Sequence, residues 1–438
     1  MISIFIVCLC LTLTTNTIFK SEIIIHNEKI TINNSSKFSI QNVSILMVNG
    51  SSYQMGYQQG SLLYDEIHQN LRAFASFAED KVSNERLMMM WNYMEPFIPI
   101  EYIQEMHGIA DGAQINFMDI AKSYMIVVWL DLGCITAALW GNATINKEMI
   151  HVRSLDFPLT IQDPVSKIFV HENQFILLRN PDDRKKTLAP TVAGTPNFGG
   201  GFSELKIAIG NQVCQSKDNS FNGTPIQFRI QQALEYSTDL TSSIYYLIQN
   251  KTTGWNQIIA DARTNQAYAI ETTAHHESIS SWNSDTENIF PFNSIPYVLR
   301  RTNLFLDPET AITQRTKYDP SGLSGFLSMM FSDEYYFTPY VLYQALSDLI
   351  QETYGNVNDS SLIENIRELY SGHTDLLLYF LSYFLHKMYP ETGFMNPWHQ
   401  WVCNLESGDL YISFATKETP AHKTQVCYVN IYELFDSF

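Results

Sequence analysis

Hydrophobic positions along this chain change their spacing three times. Residues 1–14 form a short apolar stretch, and residues 22–44 are polar, Asn-rich and β-leaning. At residues 48–60 a strand ends and a helix begins, continuing through Ile67, Leu71 and Phe74. Residues 87–94 and 102–113 carry apolar side chains three and four apart, the spacing of a helix with one buried face. From Cys134 the pattern becomes short apolar runs separated by Gly, Asn and Pro. Residues 149–155, 168–178, 206–213, 258–260 and 267–270 read as strands, with helices at 225–236 and 240–249 between them. Past Gly322 the spacing is helical again, at 326–330, 339–351, 362–370 and 375–388. Strands at 410–415 and 425–429 close the chain. There is no internal repeat and no low-complexity linker. Helix, sheet, helix and sheet in that order predict a layered α+β fold.

Length and composition narrow the class. The 438 residues are enough for a large core, and 45% hydrophobic against 16% charged residues marks a globular chain. With 27 Lys+Arg against 45 Asp+Glu the net charge is −18, which argues against nucleic acid and anionic membrane surfaces as partners. The apolar stretch at residues 1–14 is too short to span a bilayer and reads as a signal-peptide core, removed after about residue 20. No integral membrane span is expected. Asn33, Asn34, Asn42, Asn49, Asn142, Asn222, Asn250 and Asn358 all carry Ser or Thr two places on, the N-glycosylation pattern. Behind a signal peptide, that set predicts a secreted or lysosomal glycoprotein.

The candidate chemistry centres on Asp131-Leu132-Gly133-Cys134-Ile135-Thr136, followed nineteen residues on by Arg153-Ser154-Leu155-Asp156. If residues 134–140 and 149–155 are neighbouring antiparallel strands, a thiol, a guanidinium and a carboxylate meet. An ordinary thiol has a pKa of roughly 8.5 and needs a base. Cutting the Gly133–Cys134 bond would create an α-amine, of pKa about 7.7–8.0, on the residue that carries the thiol. Glycine before the cysteine lets the thiol approach the preceding carbonyl without a side-chain clash. The plain alternative is a buried strand cysteine with a surface Arg–Asp pair. Of the six cysteines, Cys8 and Cys10 leave with the signal, and Cys403 with Cys427 is the expected disulfide, leaving Cys214 as a free thiol. His275-His276 would point apart on a strand and has no third ligand at metal spacing, so neither metal nor cofactor is expected.

Gly133-Cys134-Ile135-Thr136 with Arg153-x-x-Asp156 resembles the N-terminal-nucleophile linear amide hydrolases. These include acyl-coenzyme A:6-aminopenicillanic acid acyltransferase-like proteins, choloylglycine hydrolases, penicillin V acylases and the acid ceramidase group. Tyr53-Gln54-Met55-Gly56-Tyr57-Gln58-Gln59-Gly60 is similar to an early motif of the acyltransferase-like branch. So are the helix at 103–113, the strand pair carrying Ile259-Ala260-Asp261 and Ala269-Ile270-Glu271, and Arg301-Thr302-Asn303, which matches a Thr-Asn motif. The resemblance implies a four-layer αββα sandwich, with a helical N-terminal segment over residues 21–133 and a catalytic segment over 134–438. It implies autocleavage at Gly133–Cys134, with Cys134 as nucleophile and, through its amine, base. Asp156 would orient the amine, Arg153 would line the substrate carbonyl, Asn303 would support nucleophile and oxyanion, and Asn211 is the candidate for the oxyanion hole.

The chain departs from the family at Ser203-Glu204-Leu205-Lys206, where relatives read Asn-Glu-Lys-Gly, and offers either Arg315 or Lys317 for a late basic position. The implied substrate is a small-molecule N-acyl amide, with a lipid amide such as ceramide or an N-acylethanolamine as one form. The cleaved N-terminal segment would stay as a partner. Acyl transfer is an alternative, as is a non-catalytic secreted glycoprotein that keeps the fold.

Overall fold

The computed structural model describes residues 25–32, 35–126, 133–195, 197–315, 337–371 and 396–437. The signal-like stretch, Asn33, Asn34, Lys317 and the helices expected at 326–330 and 375–388 lie outside the described residues.

Two sheets carry the architecture. The first begins with three strands from the N-terminal segment, β1 (Ile25–Ile32), β2 (Ser35–Ile40) and β3 (Val43–Gly50). The second contains β4 (Cys134–Leu139) and β5 (Ile150–Asp156). The first sheet resumes with β6 (Gln174–Pro181), β7 (Thr187–Val192), β8 (Gly200–Ser203), β9 (Ile207–Val213), β10 (Trp255–Asp261), β11 (Gln266–Thr272) and β12 (Glu277–Ser280). The second is completed by β13 (Val298–Arg301), β14 (Pro397–Asn404), β15 (Asp409–Phe414) and β16 (Cys427–Asn430). The ten-stranded sheet runs β1-β2-β3-β6-β7-β8-β9-β10-β11-β12 and the six-stranded one β13-β4-β5-β14-β15-β16. The N-terminal segment is thus not helical throughout: its three strands join the large sheet, β3 lying parallel to β6.

Side-chain alternation shows how the layers stack. Ile45, Met47, Ile176, Leu178, Ala208, Ile258 and Ala260 of the large sheet share one core with Ala138, Trp401, Cys403 and Ile412 of the small sheet. Their neighbours one residue along point the other way, as a period of two requires. Ile207, Ile209 and Ile259 pack under α6 (Ile226–Tyr236) and α7 (Leu240–Ile248). Leu46, Val48 and Leu177 pack under helices of the N-terminal segment: α1 (Ser52–Leu62), α2 (Tyr64–Ala78), α3 (Asn84–Met94), α4 (Ile100–Gly112) and α5 (Phe117–Ile126). A short α8 (Pro308–Ala311) follows β13. On the outer face of the small sheet, Ile135, Ala137, Val152 and Val402 pack against α9 (Phe337–Glu352) and α10 (Asp359–Tyr370). The last helix, α11 (Ile431–Asp436), caps the inter-sheet core. The protein is a four-layer αββα sandwich.

The glycines of two N-terminal motifs have a packing role. Gly56 and Gly60 of α1 face Gly108 and Gly112 of α4. A Cβ on Gly56 would lie 2.0 Å from the Glu105 carbonyl oxygen, and one on Gly108 would lie 2.1 Å from that of Tyr53. Backbone meets backbone, so no side chain fits at either position. Beneath α4, buried Arg179 of β6 pairs with both Glu105 of α4 and Glu235 of α6, and Tyr102 donates to Glu235 at 2.9 Å.

The expected disulfide is not formed. Cys403 sits opposite Leu410 and Cys427 opposite Ile412, so β15 lies between them. Two strand spacings come to about 10 Å, beyond the roughly 7 Å that a disulfide spans between Cα atoms. All four cysteines described, Cys134, Cys214, Cys403 and Cys427, are free thiols. Among the described residues, no helix is long and apolar enough to cross a membrane. Of the sequon asparagines, Asn42, Asn142, Asn222, Asn250 and Asn358 are exposed and Asn49 is half-buried.

Candidate active site

The strand pair expected from the sequence is present and in the register that the chemistry needs. β4 and β5 are antiparallel, with Thr136 opposite Arg153 and Cys134 opposite Leu155. The ladder continues one step further, the Asp156 N–H donating to the Gly133 carbonyl at 2.9 Å. On the other side of β4 lies β13, with Arg301 opposite Thr136. Antiparallel pairing carries Asn303, two residues beyond Arg301, toward Cys134, two residues before Thr136. There the Cys134 N–H donates to Asn303 Oδ1 at 2.6 Å. Both halves of the Gly133–Cys134 peptide are therefore held, the carbonyl by Asp156 and the N–H by Asn303.

Asn303 is itself fixed from the large sheet. Its Nδ2 donates to the Val213 carbonyl at 2.8 Å. Asn256 of β10 donates to the carbonyls of Thr302 and Leu304 at 2.9 and 2.6 Å, clamping the turn on both sides. Just upstream, buried Arg301 pairs with Glu271 at 3.0 Å and Glu287 at 2.6 Å. Glu271 also accepts from the backbone of Leu306 and Asp307 and from the Thr310 hydroxyl. The motif glutamate on β11 thus anchors the segment that presents Asn303.

The carboxylate and guanidinium occupy opposite faces of β5. Asp156 shares the outward face with Ser154 and accepts from the Ser154 hydroxyl at 2.8 Å. Tyr370, the last residue of α10, donates to it too, its hydroxyl lying 3.1 and 3.0 Å from the two carboxylate oxygens. Arg153 faces the other sheet, donating to the Gly199 carbonyl at 3.2 Å, the Ile135 carbonyl at 3.4 Å and the Ser154 carbonyl. Cys134 is fully buried. Burial pushes its thiol up from the ordinary value; the Arg153 guanidinium pulls it down, the Asp156 carboxylate adds to the rise, and the Asp156 N–H is a lesser lowering influence.

Cys134 and Arg153 line a nearly closed cavity of about 10 Å3, room for one water, together with Asn211. Asn211 is buried, and its Oδ1 has no hydrogen-bond partner. The structure thus brings Cys134, Arg153, Asp156, Asn211 and Asn303 into one neighbourhood. Arg315 is exposed, its backbone N–H bonded to Gln215. Asn256, Gln227 and Tyr370 carry no mark in the sequence, because each acts through a partner 46 or more residues away or through the cavity alone. Among the described residues, no group of three or more His, Cys, Asp or Glu could hold a metal ion. His275 instead pairs with Asp218 at 2.5 Å.

No family model matches the chain. Protein dcd1A of Dictyostelium discoideum is 21% identical over 391 residues, 80% of this chain and 79% of that protein. A second protein of that organism, dcd1B, is 22% identical over 230 residues, 46% of this chain and 44% of its own length. Solved structures with some likeness include a Caenorhabditis elegans N-acylethanolamine-hydrolyzing acid amidase ortholog. It is 13% identical, with a TM-score of 0.39, over 68% of this chain and all (100%) of that one. A mutant of the conjugated bile acid hydrolase of Clostridium perfringens is 14% identical with a TM-score of 0.37, over 68% and 93%.

Proposed function

We propose that this protein is a cysteine amidase that cuts its own chain between Gly133 and Cys134 and then hydrolyses a non-peptide N-acyl amide. The observation that carries the reading is the double hold on the Gly133–Cys134 peptide, the carbonyl by the Asp156 N–H and the nitrogen by Asn303. A donor on the carbonyl polarises it toward attack, and an acceptor on the N–H positions the departing nitrogen. The Cys134 sulfur adds to the Gly133 carbonyl carbon, the carbon–nitrogen bond breaks, and the Cys134 nitrogen leaves as an amine. Water then hydrolyses the resulting thioester, leaving a Gly133 carboxylate and a free Cys134 thiol and α-amine.

The same groups serve a substrate in turn. The α-amine acts as base for the thiol, whose raised pKa makes such a base necessary. The thiolate attacks the acyl carbonyl, the substrate amine leaves protonated, and water clears the acyl-enzyme. Arg153 lines the reacting carbonyl and Asp156 orients the α-ammonium. A signal-like N-terminus and exposed sequon asparagines support a secreted or lysosomal glycoprotein, and a lipid amide such as ceramide or an N-acylethanolamine is the substrate form this reading favours. The Ntn-hydrolase resemblance of the ordered motifs supports the same chemistry.

The test is a denaturing gel of the secreted, deglycosylated protein held at pH 4.5 and 7, with N-terminal sequencing of each band. A fragment beginning Cys134-Ile135-Thr136, absent from Cys134→Ala, is the expected result. One uncut chain at both pH values overturns the reading. The nearly closed cavity and fully buried thiol would then favour the second reading, a non-catalytic glycoprotein that keeps the fold.

A further inference from the structure

The cavity beside Cys134 holds four polar side chains, and their hydrogen bonds divide them into two pairs. Asn197 is occupied: its Oδ1 accepts from the N–H groups of Gly199 and Gly200 at 3.2 and 3.0 Å, and its Nδ2 donates to Gln231 at 3.3 Å. Arg153 is occupied by three backbone carbonyls. Asn211 and Gln227 are different. Each is more than nine-tenths buried and lines the cavity, and each has a side-chain oxygen with no hydrogen-bond partner. A buried acceptor without a partner is costly, and while other buried side chains also lack one, these two flank the cysteine in a cavity with room for a water, where a hydrogen-bond donor from outside can be received.

Gln227 is the more telling of the two. It sits in the first turn of α6, where the neighbouring cavity-lining positions Ile226 and Ile230 are apolar and pack into the core under the large sheet. A glutamine between them gains nothing from that packing, and the amide is not used to tie α6 to the sheet. Gln231, one turn on, does that by donating to Thr187 of β7 at 3.0 Å, and it also donates to Glu235 within its own helix at 2.8 Å. Around the polar pair, Phe198, Val213 and Trp255 make the rest of the wall apolar.

We infer that Gln227 is a substrate-positioning residue whose side-chain oxygen accepts the N–H of a secondary amide presented to Cys134, with Asn211 beside it. The inference rests on the amidase reading and narrows it: the substrate is a secondary N-acyl amide with an apolar acyl group, and oxygen esters of the same acyl group lack the donor that Gln227 reads. A site built around a hydrogen bond discriminates against the analogue without it, because the buried group is then left unpaired.

The experiment uses the full-length secreted protein after the pH 4.5 incubation, as wild type and as Gln227→Leu and Gln227→Glu. The probes are lauroyl aminomethylcoumarin amide and lauroyl methylumbelliferyl ester, which share the acyl chain and differ in the N–H. In wild type the amide is expected to be cleaved. In Gln227→Leu, kcat/KM for the amide falls about 10- to 100-fold, while that for the ester stays within about 3-fold. Gln227→Glu, which keeps the acceptor, retains more amide activity than Gln227→Leu. Equal losses on both probes with normal self-cleavage, or no loss on the amide, overturn the role of Gln227 and leave the amidase standing. A chain that is uncut and inert toward both probes overturns the amidase and this inference together.

Discussion

At the scale of single residues, the decisive relation is between a thiol that resists ionisation and the groups arranged around its own backbone. Burial raises the Cys134 thiol, and Arg153 counters this only in part. The proposed mechanism therefore depends on how the Gly133–Cys134 peptide is held. Asn303→Leu keeps the volume of the side chain but removes the acceptor at 2.6 Å. Self-cleavage is expected to slow about 100-fold or more, the usual loss when a preorganised polar group at a reacting centre is removed. Time-resolved gels of the secreted chain, with Cys134→Ala as the uncut reference, measure it, and an unchanged rate would remove Asn303 from the mechanism. Tyr370 acts one step further out, through Asp156. Tyr370→Phe deletes the hydroxyl that lies within 3.1 Å of both carboxylate oxygens, a loss of about 1.5–3 kcal/mol for a hydrogen bond to a charged group. A kcat reduced about 10- to 150-fold with KM nearly unchanged is expected, and steady-state kinetics on a fluorogenic amide would reveal the opposite split if Tyr370 only supports substrate binding.

Secondary-structure elements meet most tightly where α1 crosses α4. Gly108→Ala places a methyl against the Tyr53 carbonyl and forces the helices apart, so a loss of at least about 1–3 kcal/mol is expected from overpacking alone. Chemical denaturation of the purified variant measures it, and wild-type stability would contradict the packing. These glycines belong to motifs that the sequence marks clearly, yet their purpose is visible only in the crossing. The strand pair β4–β5 is legible because two apolar runs flank a polar turn. The helices at 87–94, 102–113, 225–236 and 240–249 are legible from their three- and four-residue spacing. β7, β8, β13 and β14 are not, since strands buried on both faces show no alternation, and β8 is only four residues long. Asn303 is found through its motif. Asn256, which clamps it, lies 47 residues upstream on another sheet, a distance no local pattern spans. The mistaken Cys403–Cys427 bridge has the same origin: two strand-like segments are recognisable, but not that β15 pairs between them.

Over the whole molecule, buried histidines set the response to pH. Desolvation holds His151 and His171 at about 4 and His399 and His422 at about 3, all below the ordinary 6.5. The unfolded chain takes up protons below pH 6.5 that the fold refuses. Their contribution to stability is therefore complete above about pH 6.5 and is lost as pH falls toward 4. Glu406, pushed up to about 7 by burial, works in reverse: the fold keeps its proton, and the benefit disappears as pH rises from 4.5 to 7. Glu105 and Glu271 are raised by burial in the same sense. Four depressed histidines outweigh them, so the urea midpoint of the intact protein is expected to rise between pH 4.5 and 6.5. A midpoint that falls over that interval would mean the histidines are hydrated or charged in the fold.

The parallel pairing of β3 with β6 has a practical corollary for anyone who wants the cysteine half alone. Residues 134–438 produced as a separate polypeptide would present β6 as a bare edge, with its row of unpaired amides and carbonyls, and would leave Leu177 and Phe175 without the helices that cover them. Such a product is a candidate for inclusion bodies rather than for assay. Co-expression of the two halves, which no disulfide would need to join, is the route by which a split version could be assembled.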